Sequence, residues 1–262
     1  MAPRPSDGSL FCPHSVRNSI CFFCNRIPVE KQALFSENLR AFTAEAGEVM
    51  FREGDEAPGL WSVCSGRIHL QRISEEGRTL VTRIIYPGGM MGHRSVVSGS
   101  VLSGTAVAHE RTVGTFMKRS LLERLFATEP TFRIAIMRLL ADDLDHAESL
   151  AASMAYNDAR SRVLAALAEF RRVRERVVGT LAGWEFSIPR KELSELTGLS
   201  VEGVVRTLKK LEADGVLETH GRTIRIVDPN AVRQQCLHHC TERQNDRGED
   251  ICHCLFERSG GD

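Results

Sequence analysis

Net charge is the first thing this sequence lacks. Its 34 lysines and arginines are matched by 34 aspartates and glutamates. No chain-wide basic field is available to hold a polyanion, so any basic face must be local. Long hydrophobic runs are missing too. No stretch of about 18 apolar residues occurs, which argues against a membrane-spanning helix and a membrane partner. The opening MAPRPSDGSLFCPH is polar and proline-rich, without the apolar core of a secretion signal. The expected setting is therefore the cytoplasm, where thiols stay reduced. There is no internal repeat, no nucleophile–base–acid constellation and no phosphate-binding loop, so nothing supports an enzyme.

Cysteine is scarce where a core is expected. Of eight cysteines, only Cys64 lies in the body of the chain. Cys12, Cys21 and Cys24 precede it, and Cys236, Cys240, Cys252 and Cys254 follow near the other end. Cysteines serving as small core hydrophobes would scatter with the apolar segments. These gather at two polar ends, and in a reducing compartment that pattern points to metal or redox chemistry rather than structural disulfides.

Between those ends the pattern changes twice. From about 45 to 118, short apolar/polar alternations are broken by EGDEAPG, CSG, EEG and PGG. That spacing predicts antiparallel strands folded as a sandwich or roll. From about 119 to 156 the reading is helical, with Pro130 suited to a first turn. Ile134, Met137, Ala141, Leu144, Ala151 and Met154 recur at threes, fours and one seven. So narrow a stripe faces a partner helix, or lies on its own domain.

From 157 to 229 the sequence predicts helix, helix, helix and hairpin. Asn157 or Asp158 serves as the first N-cap, Pro189 opens the next helix and Gly198 stops it. Ser200 caps the third helix, and His220-Gly221 forms the hairpin turn. Two short helices joined by a tight glycine-containing turn are the sequence form of a helix-turn-helix. On the second, Val201, Val204, Leu208 and Leu211 form an apolar face that would anchor it. Glu202, Val205, Arg206 and Lys209 form an outward face.

That outward set suits double-stranded DNA. Arginine donates two hydrogen bonds to guanine, glutamate accepts from cytosine, and an apolar side chain touches the thymine methyl. Arg206 would read G, Glu202 C and Val205 T. Lys209 would meet phosphate, with Arg222 and Arg225 contacting the backbone from the hairpin. Residues 157–227 hold 13 Lys and Arg against 10 Asp and Glu, an excess that is only supportive. The ordinary reading of Glu202 and Arg206, four residues apart, is a surface ion pair.

The order of roll, long helix and winged helix-turn-helix resembles the CRP/FNR family of bacterial transcription regulators, over roughly residues 31–229. The residues carrying the resemblance are FREGDEAPGLWSVCSGRIHL, PGGMMG and LTGLSVEGVVRTLKKLEADGVL, with the Glu202…Arg206 pair inside the last. The resemblance implies an α+β fold. A cysteine-bearing arm (1–30) leads to a cyclic-nucleotide-binding-like β-roll (31–128) and a dimerisation helix (129–156). A winged helix-turn-helix (157–229) and a cysteine-rich tail (230–262) follow. It also implies a homodimer reading half-sites about one helical turn apart, with RNA polymerase as a further partner. Val205 stands where FNR-type members carry serine, so the full FNR-type half-site is not implied.

The resemblance offers several effectors. Cyclic-nucleotide binders place a glutamate and an Arg-Ser or Arg-Thr pair in GGMMGHRSVVSGSVLSGTAVA. Here Met90 and Met91 stand near the acidic position, Ser103-Gly104-Thr105 stands where arginine should be, and Arg94-Ser95 comes too early. Haem would need an axial ligand such as His69, His93 or His109. FNR-type members hold a 4Fe-4S cluster on three N-terminal cysteines and a fourth in the roll. Cys12, Cys21 and Cys24 would supply three, in reversed spacing. The fourth is expected near Gly114-Thr115, where there is no cysteine, leaving Cys64. The tail cysteines would form a second iron-sulfur or zinc site, or act as redox thiols, with Asp142, Asp143 or Asp145 offering a carboxylate. The rival readings are a DNA-binding regulator with a thiol or zinc switch or haem, and a ligand or redox interaction protein that binds no DNA.

Overall fold

The computed structural model describes residues 39–178 and 184–232. The chain divides into two compact units, Met1–Ala147 and Glu148–Asp262. The first holds strands β1 (Leu39–Ala44), β2 (Val49–Phe51), β3 (Gly59–Ser65), β4 (Ile68–Ile73), β5 (Thr79–Ile85) and β6 (Met90–Met91). Helix α1 (His93–Ser98), strands β7 (Thr105–Ala108) and β8 (Thr112–Lys118) and helix α2 (Arg119–Thr128) follow. Two antiparallel sheets result, in the orders β1-β8-β3-β6 and β2-β7-β4-β5.

Strand β3 shows how the roll is layered. Successive side chains of a strand point to opposite faces. Trp61 and Val63 join Phe42, Ile68, Ile85 and Met91 in a cluster drawing on both sheets. Leu60 and Cys64 point the other way, into a cluster with Leu39, Met90, Leu122, Leu125, Phe132 and Ile136. A central strand covered on both faces must be apolar on both, and six of its seven residues are buried.

Two elements were not anticipated from sequence. Strand β1 precedes the alternation read from about 45, lies within the 31–128 expected for the roll, and pairs along its whole length with β8. The segment after PGGMMG is helical, as α1, where more strand was expected.

The long helix α3 (Pro130–Tyr156) has two working faces. Phe132 and Ile136 are buried in the roll's outer cluster. Full burial of such side chains contributes roughly 1.5–3 kcal/mol each. Ile134, Met137 and Leu144 are exposed. The helix therefore lies on its own domain and still presents the stripe read from the sequence.

The second unit comprises α4 (Ala159–Val178), β9 (Glu185–Ser187), α5 (Arg190–Thr197), α6 (Val201–Ala213), β10 (Leu217–His220) and β11 (Thr223–Ile226). The hairpin carries an extra strand, in the order β10-β11-β9. Val163, Leu167, Phe186, Leu193, Leu211 and Ile224 are buried in this unit. Among the described residues no helix is long and apolar enough to cross a membrane.

Candidate functional site

The turn between α5 and α6 is tied at several points. Gly198 adopts φ +65°, a left-handed conformation that a side chain disfavours. Ser194 Oγ donates to the Leu199 carbonyl at 2.6 Å, and Arg162 of α4 donates to the Thr197 carbonyl at 3.2 Å. Ser200 Oγ accepts from the Gly203 amide at 3.0 Å, closing the N-cap that its position predicts. At the other end Arg160 pairs with Asp214. The Glu212 carboxylate accepts from the Thr219 amide at 2.9 Å, fastening the hairpin to α6. Asp158 accepts from the Ser161 amide at 2.8 Å, and that bond holds its carboxyl below the ordinary range.

These ties hold α6 with Val204, Leu208 and Leu211 at 0–2% exposure. Glu202, Val205, Arg206 and Lys209 lie together on the exposed outer surface of α6. Among the described residues, Glu202 and Arg206 form no ion pair with each other, so both heads stand available. Val201 departs from its expected place. It was read with the anchoring face but is 40% exposed and lies on the same outer surface. Spacing alone put it on that face, and it is the first residue of the helix.

The hairpin brings Arg222 to its tip, exposed beside Gly221. Arg225 is engaged by Glu218 across the hairpin, which raises its pKa.

The sensor candidates divide. Cys12, Cys21 and Cys24 lie outside the described residues, as do Cys236, Cys240, Cys252 and Cys254. Cys64 is buried at 7% exposure on β3, in the same cluster as Leu39, where the described chain begins. Gly114, where the resemblance places a fourth cysteine, has no room for one. A Cβ there would lie 2.2 Å from the Ser62 carbonyl and 2.5 Å from the Phe42 ring.

The three histidines sit in two places. His69 is buried and stacks on His109 with centroids 4.3 Å apart. His93 is bound through Nε2 to Asp143 at 2.8 Å. Arg83 holds the same carboxylate at 2.5 Å. Of the three candidate aspartates, Asp143 is thus already committed, while Asp142 is exposed. Met90 and Met91 are buried core residues. Arg94 donates to Ser103 Oγ.

A family model described as a cyclic nucleotide-binding domain matches residues 41–129. One described as a Crp-like helix-turn-helix domain matches residues 161–235. The chain is 25% identical over 188 residues to the anaerobic regulatory protein of Pasteurella multocida, covering 72% of this chain and 68% of that protein. It is 24% identical over 194 residues to the fumarate and nitrate reduction regulatory protein of Escherichia coli K12, covering 74% and 77% respectively. The c-di-GMP responsive global regulator CLP of Xanthomonas campestris superposes with a TM-score of 0.68 at 23% identity. That match covers 77% of this chain and 100% of the other, and it speaks for the fold.

Proposed function

The chain belongs to the CRP/FNR family of DNA-binding transcription regulators, and from that premise we propose that it is a homodimeric regulator whose DNA binding is set by a cysteine-held iron-sulfur cluster. The family is one of regulators, not enzymes. The observation that carries the DNA reading is the outward face of α6, where Glu202 and Arg206 are fixed by a capped, glycine-stopped turn and left unpaired with each other. Arg206 reads G and Glu202 reads C, while Lys209 and Arg222 meet phosphate. Arg206→Ala is expected to lose about 1–3 kcal/mol of discrimination at one G position. A variant that selects the same sequence as wild type from a random duplex pool refutes that assignment.

The sensor reading rests on thiolate chemistry and chain reach. Cysteine thiolates are the donors that hold 4Fe-4S clusters. Cys24 lies 15 positions before Leu39, a distance the chain can span with about 50 Å of extended backbone. Leu39 and Cys64 share one cluster, so Cys64 is within reach as a fourth ligand to Cys12, Cys21 and Cys24. Cys64 itself is buried among apolar side chains of that cluster. A bound cluster supplies a group sensitive to oxygen, nitric oxide or redox state. The tail cysteines Cys236, Cys240, Cys252 and Cys254 form the second candidate site, for a cluster or zinc. Relatives whose names speak of anaerobic control and of fumarate and nitrate reduction support the same direction.

Anaerobic purification with iron, sulfide and zinc analysis tests this reading. Iron and sulfide in equal amounts, lost with the Cys21→Ser change, are expected. A colourless protein without iron under those conditions overturns the cluster, and zinc in its place supports the zinc switch. As a regulator of this family it is expected to engage RNA polymerase.

A further inference from the structure

The tail after Val232 holds more than its cysteines. Residues 249–257 read EDICHCLFE. The segment carries three carboxylates, no lysine or arginine, and the apolar side chains of Ile251, Leu255 and Phe256. It lies outside the described residues, in the same unit of the chain as the winged domain.

The outer surface of α6 is complementary to it. Arg206, Lys209 and Lys210 are exposed there, beside Val201 and Val205 at 40% and 38% exposure. Arg206 and Lys210 stand four residues apart, where like charges on a helix repel. Among the described residues none of the three cations has an ion-pair partner. Glu202 is the one carboxylate on this surface, so three cations less one anion leave it at +2.

The chain is long enough to bring the two together. Val232, the last described residue, is buried in the winged unit. Seventeen positions separate it from Glu249, about 55–60 Å of extended backbone. A folded unit of this size is about 30 Å across. Helix α6, with 13 residues, is about 20 Å long.

We propose that residues 249–257 dock on the outer surface of α6 as an autoinhibitory contact. Their carboxylates face Arg206, Lys209 and Lys210, and their apolar side chains cover Val201 and Val205. The proposal rests on the reading of α6 as the DNA-binding face. The segment offers that face the negative charge a duplex would offer, so segment and duplex compete for it. A tethered segment at an effective concentration of about 1 mM, docking with a Kd of about 0.25 mM, leaves the face open about one-fifth of the time. Duplex affinity is then about fivefold lower than that of the open face.

The test uses the full chain and the duplex that it selects from a random pool. A carbodiimide, which joins a carboxylate to a lysine amine, is applied with and without that duplex. Mass spectrometry then maps the products. Links from Glu249, Asp250 or Glu257 to Lys209 or Lys210 are expected within single chains on a denaturing gel, and the duplex should suppress them. Two variants read the competition. Glu249→Gln with Asp250→Asn removes charge, whereas Leu255→Ser with Phe256→Ser changes none. Each pair should bind the duplex about fivefold tighter than wild type.

If no link reaches Lys209 or Lys210, the proposal is overturned. Links found only between two chains overturn it too, and give the surface to a second copy. Tightening in the charge variant alone is bulk electrostatics and counts against docking, as does unchanged affinity in both variants. Arg206→Ala separates the two levels. If it selects the wild-type sequence, the DNA reading of α6 fails and the competition with it, while the cross-link still reports the contact without DNA.

Discussion

His69 carries a proton cost that its neighbours impose. Burial, then the His109 ring, then Arg67 push its pKa from 6.5 to about 3. The unfolded chain therefore binds a proton between those values that the native chain does not. Stability from this residue is intact above pH 7 and is lost as pH falls through 6.5 toward 3, by about 2 kcal/mol at pH 5. Urea unfolding at pH 7.5 and pH 5 should show that loss in wild type and a smaller one in His69→Gln; equal losses would rule it out. Other residues were legible beforehand. Ser200 and Gly198 follow from the chemistry of helix ends, and the cap and the left-handed φ are both present. Val201 was not legible, because a period of three and four assigns a face but not where the domain beneath that face ends. Gly114 could be read only as a missing cysteine. The lack of space behind it depends on Ser62 and Phe42, which are distant in sequence and brought close by β3 and β1.

At the scale of elements, the docking of α3 on the roll has an ionic component besides its apolar one. Asp143 is held by Arg83 of β5 and His93 of α1, with all three side chains mostly covered. Burial pushes the Arg83 guanidinium below its ordinary range, and Asp143 opposes that shift. Removing one partner of such a group leaves the others covered and uncompensated. Asp143→Ala is expected to destabilise the roll by about 2–3 kcal/mol in chemical denaturation, and Asp143→Glu to recover part of it. An unchanged midpoint for the alanine variant would show that the helix is held by Phe132 and Ile136 alone. The exposed stripe of α3 was visible in the sequence because its spacing is regular. Its docked face was hidden in the same run, since Phe132 and Ile136 read as helix residues without an address. Helix α1 escaped notice for another reason: six residues are under two turns, and its cap is Gly92 without a side-chain bond.

For the molecule as a whole, the stripe on α3 is what two copies would share. Ile134 is 50%, Met137 66% and Leu144 60% exposed. Met137→Glu should leave the fold intact, shift the protein to monomer in sedimentation, and cost DNA binding, since each half-site is then held alone. A dimer that persists would remove α3 from the interface. The fold was the most legible level, because roll, long helix and winged domain each have their own period and turn chemistry. The ligand arrangement was the least, because the proposed donors are spread from Cys12 to Cys254 and spacing does not say which ones meet. The stripe carries one more consequence, concerning handedness. Ile134, Met137, Ala141, Leu144, Glu148 and Ala151 alternate steps of three and four, a period of 3.5 against the helix's own 3.6. Two straight rods would lose that seam by about 20° every seven residues, so a paired α3 must wind left-handed to keep it. Along that winding Glu148 is the charged residue in an otherwise apolar seam, where two like carboxylates brought face to face would cost stability.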